Sequence, residues 1–326
     1  MVREKILDLM AAHKGEYVSG ELMSEQLHLT RAAIWKQIKV LKEAGFEIEA
    51  QTKMGYRLLH TPLSIDAWTI RHLLKTRQLG HKLDLHKDIT STNERAKELA
   101  MQGADHGTVV LSERQSTGRG RMQRWWEAPT GGLWMSVILK PKLSLADASK
   151  ITLCTGVAVA DAITEVCKIK VGIKWPNDLV YQGQKLVGIL AEVVGEWNTV
   201  QTMVVGIGVN VNFTREELSK DLLAATLQDL TGIKWDLNVL AAKILERLEE
   251  ELISLETRGF AALRERWTQR AVGIGQNALI LQGKQTLEGI IQGISLDGEL
   301  IVKIGAKNHI FSAGEVRVRS TNGTYF

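Results

Sequence analysis

One short segment of the chain concentrates residue types that bind anions. Residues 115–126, called here the glycine-arginine loop, run Gln-Ser-Thr-Gly-Arg-Gly-Arg-Met-Gln-Arg-Trp-Trp. Glycine lets a backbone N–H approach an anion closely, and a guanidinium group offers paired donors to phosphate or carboxylate oxygens. The spacing matches neither a Walker A motif nor a dinucleotide fingerprint. The segment predicts a loop that holds a phosphate or carboxylate, with a basic, solvent-facing loop as the alternative.

A second candidate is the sequence Lys-Trp-Pro-Asn-Asp-Leu at residues 174–179. Pro176 restricts the turn after a predicted strand, and the Trp175 ring is expected in the core. Lys174 would then stand at the strand's end, where ligands of such sheets bind. Because strand-end lysines are commonly solvated, the spacing leaves a ligand-binding and a solvent-exposed Lys174 both open.

A third candidate is Ser91-Thr92-Asn93-Glu94. Ser91 and Glu94 fit the capping box S-x-x-E, which predicts a helix N-terminus. The same N-terminus, with its small polar side chains, could also receive the polar head of a ligand. Both roles can hold at once, and the sequence does not separate them.

The middle of the chain must position these segments, and its pattern predicts a mixed sheet with helices packed on it. Apolar runs predict strands at residues 83–86, 108–111, 133–139, 170–175, 185–194 and 200–211. A helix is expected from about residue 147 to 166, opened by the capping pair Ser144 and Asp147. A late helix is expected where leucine or isoleucine recurs on one face, at Leu240, Ile244, Leu248, Leu252 and Leu255.

Residues 2–60 predict three helices and a hairpin, the layout of a winged helix-turn-helix. No acid lies between Glu25 and Glu43, so the third helix is basic and suited to DNA phosphates. Trp35 on this helix is expected to pack partly against the hairpin, with an exposed stacking role as the less favoured alternative. The alternatives are an ordinary charged helix face that binds no DNA and a winged helix that is used for protein contacts. The candidate DNA-binding residues are Ser19, Thr30, Arg31, Ala32, Lys36, Gln37, Lys53 and Arg57.

Short strands separated by glycines between residues 271 and 319 predict a small β-barrel. The predicted domains are residues 1–61, 62–269 and 270–326.

Composition excludes several other classes of protein. The 326 residues are 44% hydrophobic and 24% charged with a net charge of +4, which excludes a disordered chain, a collagen-like repeat and a protein basic along its whole length. Cys154 and Cys167 have no metal-binding spacing and are expected to be buried and reduced. No apolar run has the length of a transmembrane helix, so we expect a cytoplasmic protein without a membrane partner.

The whole chain resembles the bacterial biotin–protein ligases that double as biotin operon repressors, the BirA family. The resemblance rests on Ser-Thr-Asn at residues 91–93, the glycine-arginine loop, residues 174–179, Lys-Leu-Val-Gly-Ile-Leu at 185–190 and Val-Gly-Ile-Gly-Val-Asn-Val-Asn at 205–212. It implies an α+β multidomain fold: a winged helix-turn-helix, a central mixed-sheet α/β ligase domain of the biotin/lipoate ligase type, and an SH3-like β-barrel.

The resemblance also implies an activity. Biotin would be activated with Mg²⁺-ATP to biotinyl-5′-AMP and transferred to a lysine of the biotin carboxyl carrier protein of acetyl-CoA carboxylase. The adenylate-bound protein would form a homodimer on biotin operator DNA.

The implied catalytic residues are Arg119, Arg121 and Lys174. The implied biotin-binding residues are Ser91, Thr92, Asn93, Gln115, Arg119, Gly120, Arg121, Lys174 and Gly188. The implied ATP-binding residues are Gly118, Arg121, Trp126, Asn177 and Asn210. Residues 131–136 and 188–191 would wall the apolar chain of biotin, and no metal ligand is assigned.

The chain departs from the family pattern at two positions of the loop. Gln123 stands where the family usually has glycine, and Trp125 replaces a small or polar residue. Both are expected to alter loop mobility more than chemistry.

Two other functions stay open, namely a DNA-binding biotin sensor without ligase activity and a ligase for lipoate or octanoate. The lipoate ligases share the catalytic fold but lack this loop and the winged helix.

Overall fold

The computed structural model describes residues 2–141, 148–195, 202–220, 222–313, 316–321 and 326. Ser144 and Asp147, the predicted capping pair, lie outside the described residues. The chain divides into two compact units, Met1–His72 and Leu73–Phe326.

The first unit has the predicted order of three helices and a hairpin. Its elements are α1 (Val2–Ala12), α2 (Gly20–Leu27), α3 (Arg31–Glu43), β1 (Glu47–Gln51) and β2 (Gly55–His60). Ser19 caps α2 by accepting a hydrogen bond from the Leu22 N–H at 3.1 Å, and Thr30 caps α3 by accepting from Ala33 at 3.2 Å. These caps satisfy N–H groups that a helix start leaves unpaired, which fixes where both helices begin.

A further helix, α4 (Ala67–Leu73), lies beyond the predicted linker at residues 60–62 and was not predicted. Its Trp68 packs edge-on against Phe46 and donates an indole hydrogen bond to Asp8 at 2.7 Å. Trp68 joins a buried apolar cluster with one face of each helix, which is why the first compact unit extends to His72. The other buried members include Ile6, Leu7, Met10, Met23, Ile34, Ile38 and Leu41.

The second unit contains the predicted mixed sheet. Its strands are β3 (Leu83–Ile89), β4 (Val109–Gln115), β5 (Leu133–Leu139), β6 (Gly172–Lys174), β7 (Asp178–Tyr181), β8 (Gln184–Val194) and β9 (Thr202–Val209). Their order is β3-β4-β5-β9-β8-β7-β6, with β3 parallel to β4 and the other pairs antiparallel. The helices are α5 (Thr92–Met101), α6 (Ala148–Cys167), α7 (Leu227–Thr231), α8 (Leu237–Arg258) and α9 (Phe260–Arg270). The bounds of β5 agree with the prediction, whereas β7 and α9 were not predicted.

The last five strands in the described ranges form a second sheet, which is antiparallel. It comprises β10 (Asn277–Gln282), β11 (Gln285–Ile294), β12 (Leu300–Ile304), β13 (Lys307–Phe311) and β14 (Val316–Ser320), in the order β13-β12-β11-β10-β14. The sequence pattern missed β13 because this edge strand buries only Phe311 and therefore shows no apolar alternation. The Trp175 indole donates to the Gly298 carbonyl at 3.0 Å, which ties this sheet to the end of β6.

Cys154 and Cys167 are both free and buried, as predicted, and burial raises the pKa of each thiol. Among the helices in the described ranges, none combines the length and the apolar character needed to span a bilayer.

Candidate active site

A cleft of about 230 Å³ in the second unit brings the predicted ligand residues together. The glycine-arginine loop, the first turn of α5 and the strand ends form its walls. The predicted residues that line it are Ser91, Thr92, Asn93, Gln115, Arg119, Gly120, Arg121, Trp126, Lys174, Asn177, Gly188 and Asn210. Gly118 is not among the lining residues, because it packs against the backbone oxygen of Trp126. Met135 and residues 188–190 also line the cleft, so part of each predicted apolar wall borders it.

The first turn of α5 supplies polar groups at one end of the cleft. Ser91 is the N-cap and accepts a hydrogen bond from the Glu94 N–H at 3.5 Å. The Thr92 N–H donates to Gln115 Oε1 at 2.8 Å, which fixes Gln115 at the end of β4. The predicted cap is therefore present, but the Glu94 carboxylate pairs with Lys97 and Arg119, away from the helix start.

The Asn93 side-chain amide is held by several hydrogen bonds that no pattern in the sequence indicated. Its side chain is only 4% exposed, and its Nδ2 donates to the Leu190 carbonyl at 3.2 Å and to Glu192 Oε2 at 2.8 Å. Ser136 Oγ lies 2.6 Å from Asn93 Oδ1. Gly206 faces the same oxygen so closely that a Cβ there would overlap it. Gly206 therefore leaves the space that the Asn93 amide occupies.

The glycine-arginine loop folds back on itself over the cleft. The Gly120 N–H donates to the Arg124 carbonyl at 2.8 Å, and Met122 and Gln123 between them have φ of 55° and 57°. Gln123, where the resemblance leads us to expect glycine, thus adopts the left-handed conformation that glycine tolerates without strain. The Arg121 guanidinium donates to Asn177 Oδ1 at 3.2 Å and to the Ala313 carbonyl, so the loop is joined to residues on two other segments.

Trp126 forms the floor beside this loop. An added Cβ at Gly188 would come within 2.7 Å of its ring and one at Gly208 within 2.9 Å, so both glycines are needed to seat the indole. Lys185 Nζ lies 5.0 Å from the ring centroid. The Trp126 Nε1–H is buried and has no hydrogen-bond partner within the described residues, so this donor is left unsatisfied. Trp125, in contrast, is 70% exposed.

Lys174 lies at the end of β6 and is only 3% exposed, so the solvent-exposed alternative is wrong. Burial lowers the pKa of Lys174 to about 7, with Asp178 opposing the shift and Arg319 adding to it. Trp175 is buried, as predicted. A buried ammonium among other cations is costly when the cleft is empty, and an anionic ligand would remove that cost.

Several residues of the site carry no sequence pattern that indicates a ligand-binding role. Val316, Arg317, Val318 and Arg319 on β14 line the cleft, but the pattern of β14 indicated only a strand. Two of them are arginines, and Arg319 lies near enough to affect the pKa of Lys174. The available signal in the sequence was the alternation of arginine with valine on β14. Val316 and Val318 are buried, so the two arginines point away from the core of the sheet.

The first unit presents a separate candidate DNA-binding surface on α3 and the hairpin. Arg31, Ala32, Lys36 and Lys53 are exposed, whereas the Arg57 guanidinium pairs with Glu49 and stacks on Tyr17. Trp35 is 60% exposed, which favours the exposed alternative over packing against the hairpin. The exposed face of α3 therefore combines cations with one large aromatic ring.

Comparisons with known proteins agree with this arrangement. Residues 85–210 match the Biotin/lipoate A/B protein ligase family, residues 2–57 an HTH domain and residues 273–319 the Biotin protein ligase C terminal domain. The chain is 36% identical over 305 residues to the Bifunctional ligase/repressor BirA of Bacillus subtilis (strain 168), covering 93% of this chain and 94% of that protein. It is 32% identical over 322 residues to the protein of the same name from Escherichia coli (strain K12), covering 97% of each.

A solved structure shows the same likeness in three dimensions. The biotin protein ligase from Aquifex aeolicus in complex with biotin and ATP is 30% identical, with a TM-score of 0.66, over 74% of this chain and all of that one. The resemblance and the fold class expected from the motifs are thus confirmed. The chain belongs to the BirA-type bifunctional ligase/repressors of the biotin/lipoate A/B protein ligase family.

Proposed function

We propose that the cleft activates biotin with ATP and that the predicted ligand residues carry out this step. The ureido ring of biotin would lie at the first turn of α5, where Asn93 Oδ1 can accept from a ring N–H. Thr92, Ser91 and Gln115 would complete this polar end. The nucleotide would lie toward Trp126, whose unpartnered indole N–H offers a donor. The single observation that carries the proposal is the convergence of these groups with buried Lys174 in one cleft.

The first half-reaction needs charge neutralisation and alignment. A biotin carboxylate oxygen forms a bond to the α-phosphorus of ATP, and the bond from that phosphorus to the bridging oxygen breaks, releasing pyrophosphate. No general base is required because the carboxylate is already ionised at neutral pH. Arg119, Arg121 and Lys174 would hold the negative charges in reacting geometry, an effect that is strong where water is excluded.

Mg²⁺ would accompany ATP and neutralise phosphate charge. Within the described ranges no three His, Cys, Asp or Glu side chains group as a metal site, and Asp178 and Glu127 are acids that line the cleft. Because Mg²⁺ is commonly held by substrate phosphates and one or two carboxylates, this donor set fits an ion that arrives with the nucleotide.

In the second half-reaction, a neutral lysine amine of the carrier attacks the carbonyl of the mixed anhydride. An amide bond forms as the attacking nitrogen loses a proton to solvent, the bond from the carbonyl carbon to the phosphate oxygen breaks, and AMP leaves. Water would destroy the anhydride, so the glycine-arginine loop is expected to cover it until the acceptor arrives. We infer that the acceptor is the biotin carboxyl carrier protein of acetyl-CoA carboxylase and that the reaction takes place in the cytoplasm.

Replacing Arg121 with alanine is expected to reduce biotin-dependent ATP–pyrophosphate exchange by about 10²-fold, the magnitude expected when one positioned donor is lost. The variant loses the contacts with Asn177 and Ala313 that hold the loop over the cleft. Exchange is measured with biotin, lipoate and octanoate in parallel, with Arg114→Ala as the matched control, since Arg114 is an exposed arginine that does not line the cleft.

Each alternative gives a different result in this experiment. Exchange with lipoate or octanoate but not with biotin would assign a lipoate-type ligase. Biotin binding without any exchange would assign a sensor without ligase activity. Unchanged exchange in Arg121→Ala would show that the loop has been assigned the wrong role.

We also propose that α3 and the hairpin bind biotin operator DNA and that adenylate formation promotes a homodimer on it. Dimers of helix-turn-helix proteins bind paired half-sites, so dimerisation can couple a metabolite to DNA affinity. The residues proposed to contact DNA are Ser19, Thr30, Arg31, Ala32, Lys36, Gln37, Lys53 and Arg57. Among these, Arg57 is the least available, because Glu49 already binds it.

Replacing Lys36 with alanine is expected to weaken operator binding several-fold and to reduce the salt slope by about one, as for the loss of one phosphate contact. Ligase activity should not change. Gel-shift titrations at several salt concentrations, with and without biotin plus ATP, measure both effects. Lys5→Ala is the matched control, because exposed Lys5 lies on α1, outside the proposed surface. Operator binding that ignores biotin and ATP would contradict the proposed coupling.

A further inference from the structure

A chain of charged side chains runs beside the cleft, between the polar end and the loop. Lys97, one turn beyond Asn93 on α5, lies 3.1 Å from Glu192 Oε1 on β8 and 2.8 Å from Glu94 Oε1. The same Glu94 oxygen pairs with Arg119 of the loop. The second oxygen of Glu192 accepts from Asn93 at 2.8 Å. Asn93 and Arg119 are thus linked through three intermediate side chains.

Glu192 and the Leu190 carbonyl together determine which face of the Asn93 amide meets the cleft. A carboxylate only accepts hydrogen bonds, so the Asn93 atom turned toward Glu192 must be the amide nitrogen. The Leu190 carbonyl on the same side also only accepts, and it binds the same nitrogen. Both hydrogens of Nδ2 are therefore used, and Oδ1 is turned toward Ser136 and Gly206.

This orientation matters for recognition. Oδ1 has two acceptor sites, and Ser136 takes one of them. The remaining site can accept from a ligand N–H at the wall that includes Gly206. Without Glu192, the Leu190 carbonyl is the one acceptor left of the two that hold Nδ2, so the amide turns more easily and presents a donor, which would repel an N–H of the ligand.

We infer that Glu192 is a positioning residue for biotin recognition, held in place by Lys97, which also joins it through Glu94 to Arg119. This inference rests on the proposed placement of the ureido ring at Asn93. Glu192 itself does not line the cleft, so it acts through Asn93 without touching the ligand. Lys97 neutralises both carboxylates, and Glu94 keeps Arg119 at the cleft wall in the absence of a ligand.

Steady-state exchange kinetics of Glu192→Ala test the inference. We expect the KM for biotin to rise about tenfold, as for the loss of a hydrogen bond to a charged acceptor, while kcat and the KM for ATP change less than about twofold. Glu192→Gln can turn its amide oxygen toward Asn93, and it should keep the KM for biotin within about threefold of the parent value. Lys97→Met should raise this KM about threefold. Glu98→Gln, which removes an exposed partner of Arg95 on the same helix, should change nothing.

Asn93→Ala separates failure of the inference from failure of the proposed site. If Asn93→Ala raises the KM for biotin and Glu192→Ala does not, the positioning role is overturned and the site stands. If Asn93→Ala leaves this KM unchanged, the proposed site itself is wrong. A Glu192→Ala protein with a lower thermal midpoint and equal changes in both KM values would show a structural role and overturn the inference. An unchanged KM in Lys97→Met would show that Lys97 does not hold Glu192 in place.

Discussion

Replacing Lys174 with methionine is expected to slow biotinyl-adenylate formation by about 10²–10³-fold, the range seen when a preorganised charge-stabilising group is removed. Methionine keeps an unbranched side chain of similar length but carries no charge. The ammonium of Lys174 is buried, and we propose that negative charge develops beside it during attack on the α-phosphorus. ATP–pyrophosphate exchange measures this step, and the KM for biotin should change much less than kcat.

The pH dependence supplies an independent check. Burial lowers the pKa of Lys174 to about 7 in the ligand-free protein, and the protonated form is the one that neutralises phosphate. The kcat/KM for ATP should therefore fall as pH rises through about 7, because kcat/KM reports ionisations of the free enzyme. Lys174→Arg stays protonated and should lose this dependence. A Lys174→Met protein with exchange close to the parent rate would refute the assigned role.

The same pKa has a consequence for stability. Between pH about 7 and the ordinary lysine value of 10.5, the unfolded chain binds more protons at this position than the folded protein does. The contribution of Lys174 to the free energy of unfolding therefore increases with pH over that window. Removing the buried charge should leave the ligand-free protein as stable as before or more stable, so lost activity in Lys174→Met would not reflect unfolding.

Much of the architecture could be predicted because local rules determine it. The helix cap at Ser91, the strand at 133–139 and the glycine-containing turns each depend on neighbours in the sequence. The loop was identifiable for a similar reason, since its glycines and arginines are adjacent. In contrast, β13 and α4 show no clear period, because one is an exposed edge strand and the other is stabilised by Trp68 packing on distant residues.

The parts of the site that escaped prediction depend on contacts between residues far apart in the chain. Glu192 meets Asn93 only because β8 runs beside the start of α5, and Arg319 approaches Lys174 only because β14 returns to the cleft. The exposure of a side chain is hard to predict from the sequence for the same reason. Whether Trp35 or Lys174 is buried is decided by what packs over it, so the alternatives for both side chains stayed open at the level of the sequence.

Gly206→Ala is expected to raise the KM for biotin by at least about 10²-fold. Gly206 lies in the middle of β9, between Ser136 on β5 and Leu190 on β8, and its missing Cβ leaves the space filled by Asn93 Oδ1. An alanine must displace the amide from its partners, which costs about 1–3 kcal/mol of stability as overpacking and removes the acceptor proposed for the ureido ring. Exchange kinetics and a thermal melt measure the two effects.

Gly156→Ala is the matched control, because an added Cβ there meets nothing closer than 3.6 Å and lies in helix α6, where alanine is favoured over glycine. The double variant Gly206→Ala/Asn93→Ala distinguishes the two causes. Removing the amide relieves the overlap, so the thermal midpoint should recover relative to Gly206→Ala, while biotin binding should stay weak because the acceptor is gone. A Gly206→Ala protein that keeps the parent KM for biotin would show that binding of the ureido ring does not depend on Asn93. The proposed placement of this ring at the first turn of α5 would then be wrong.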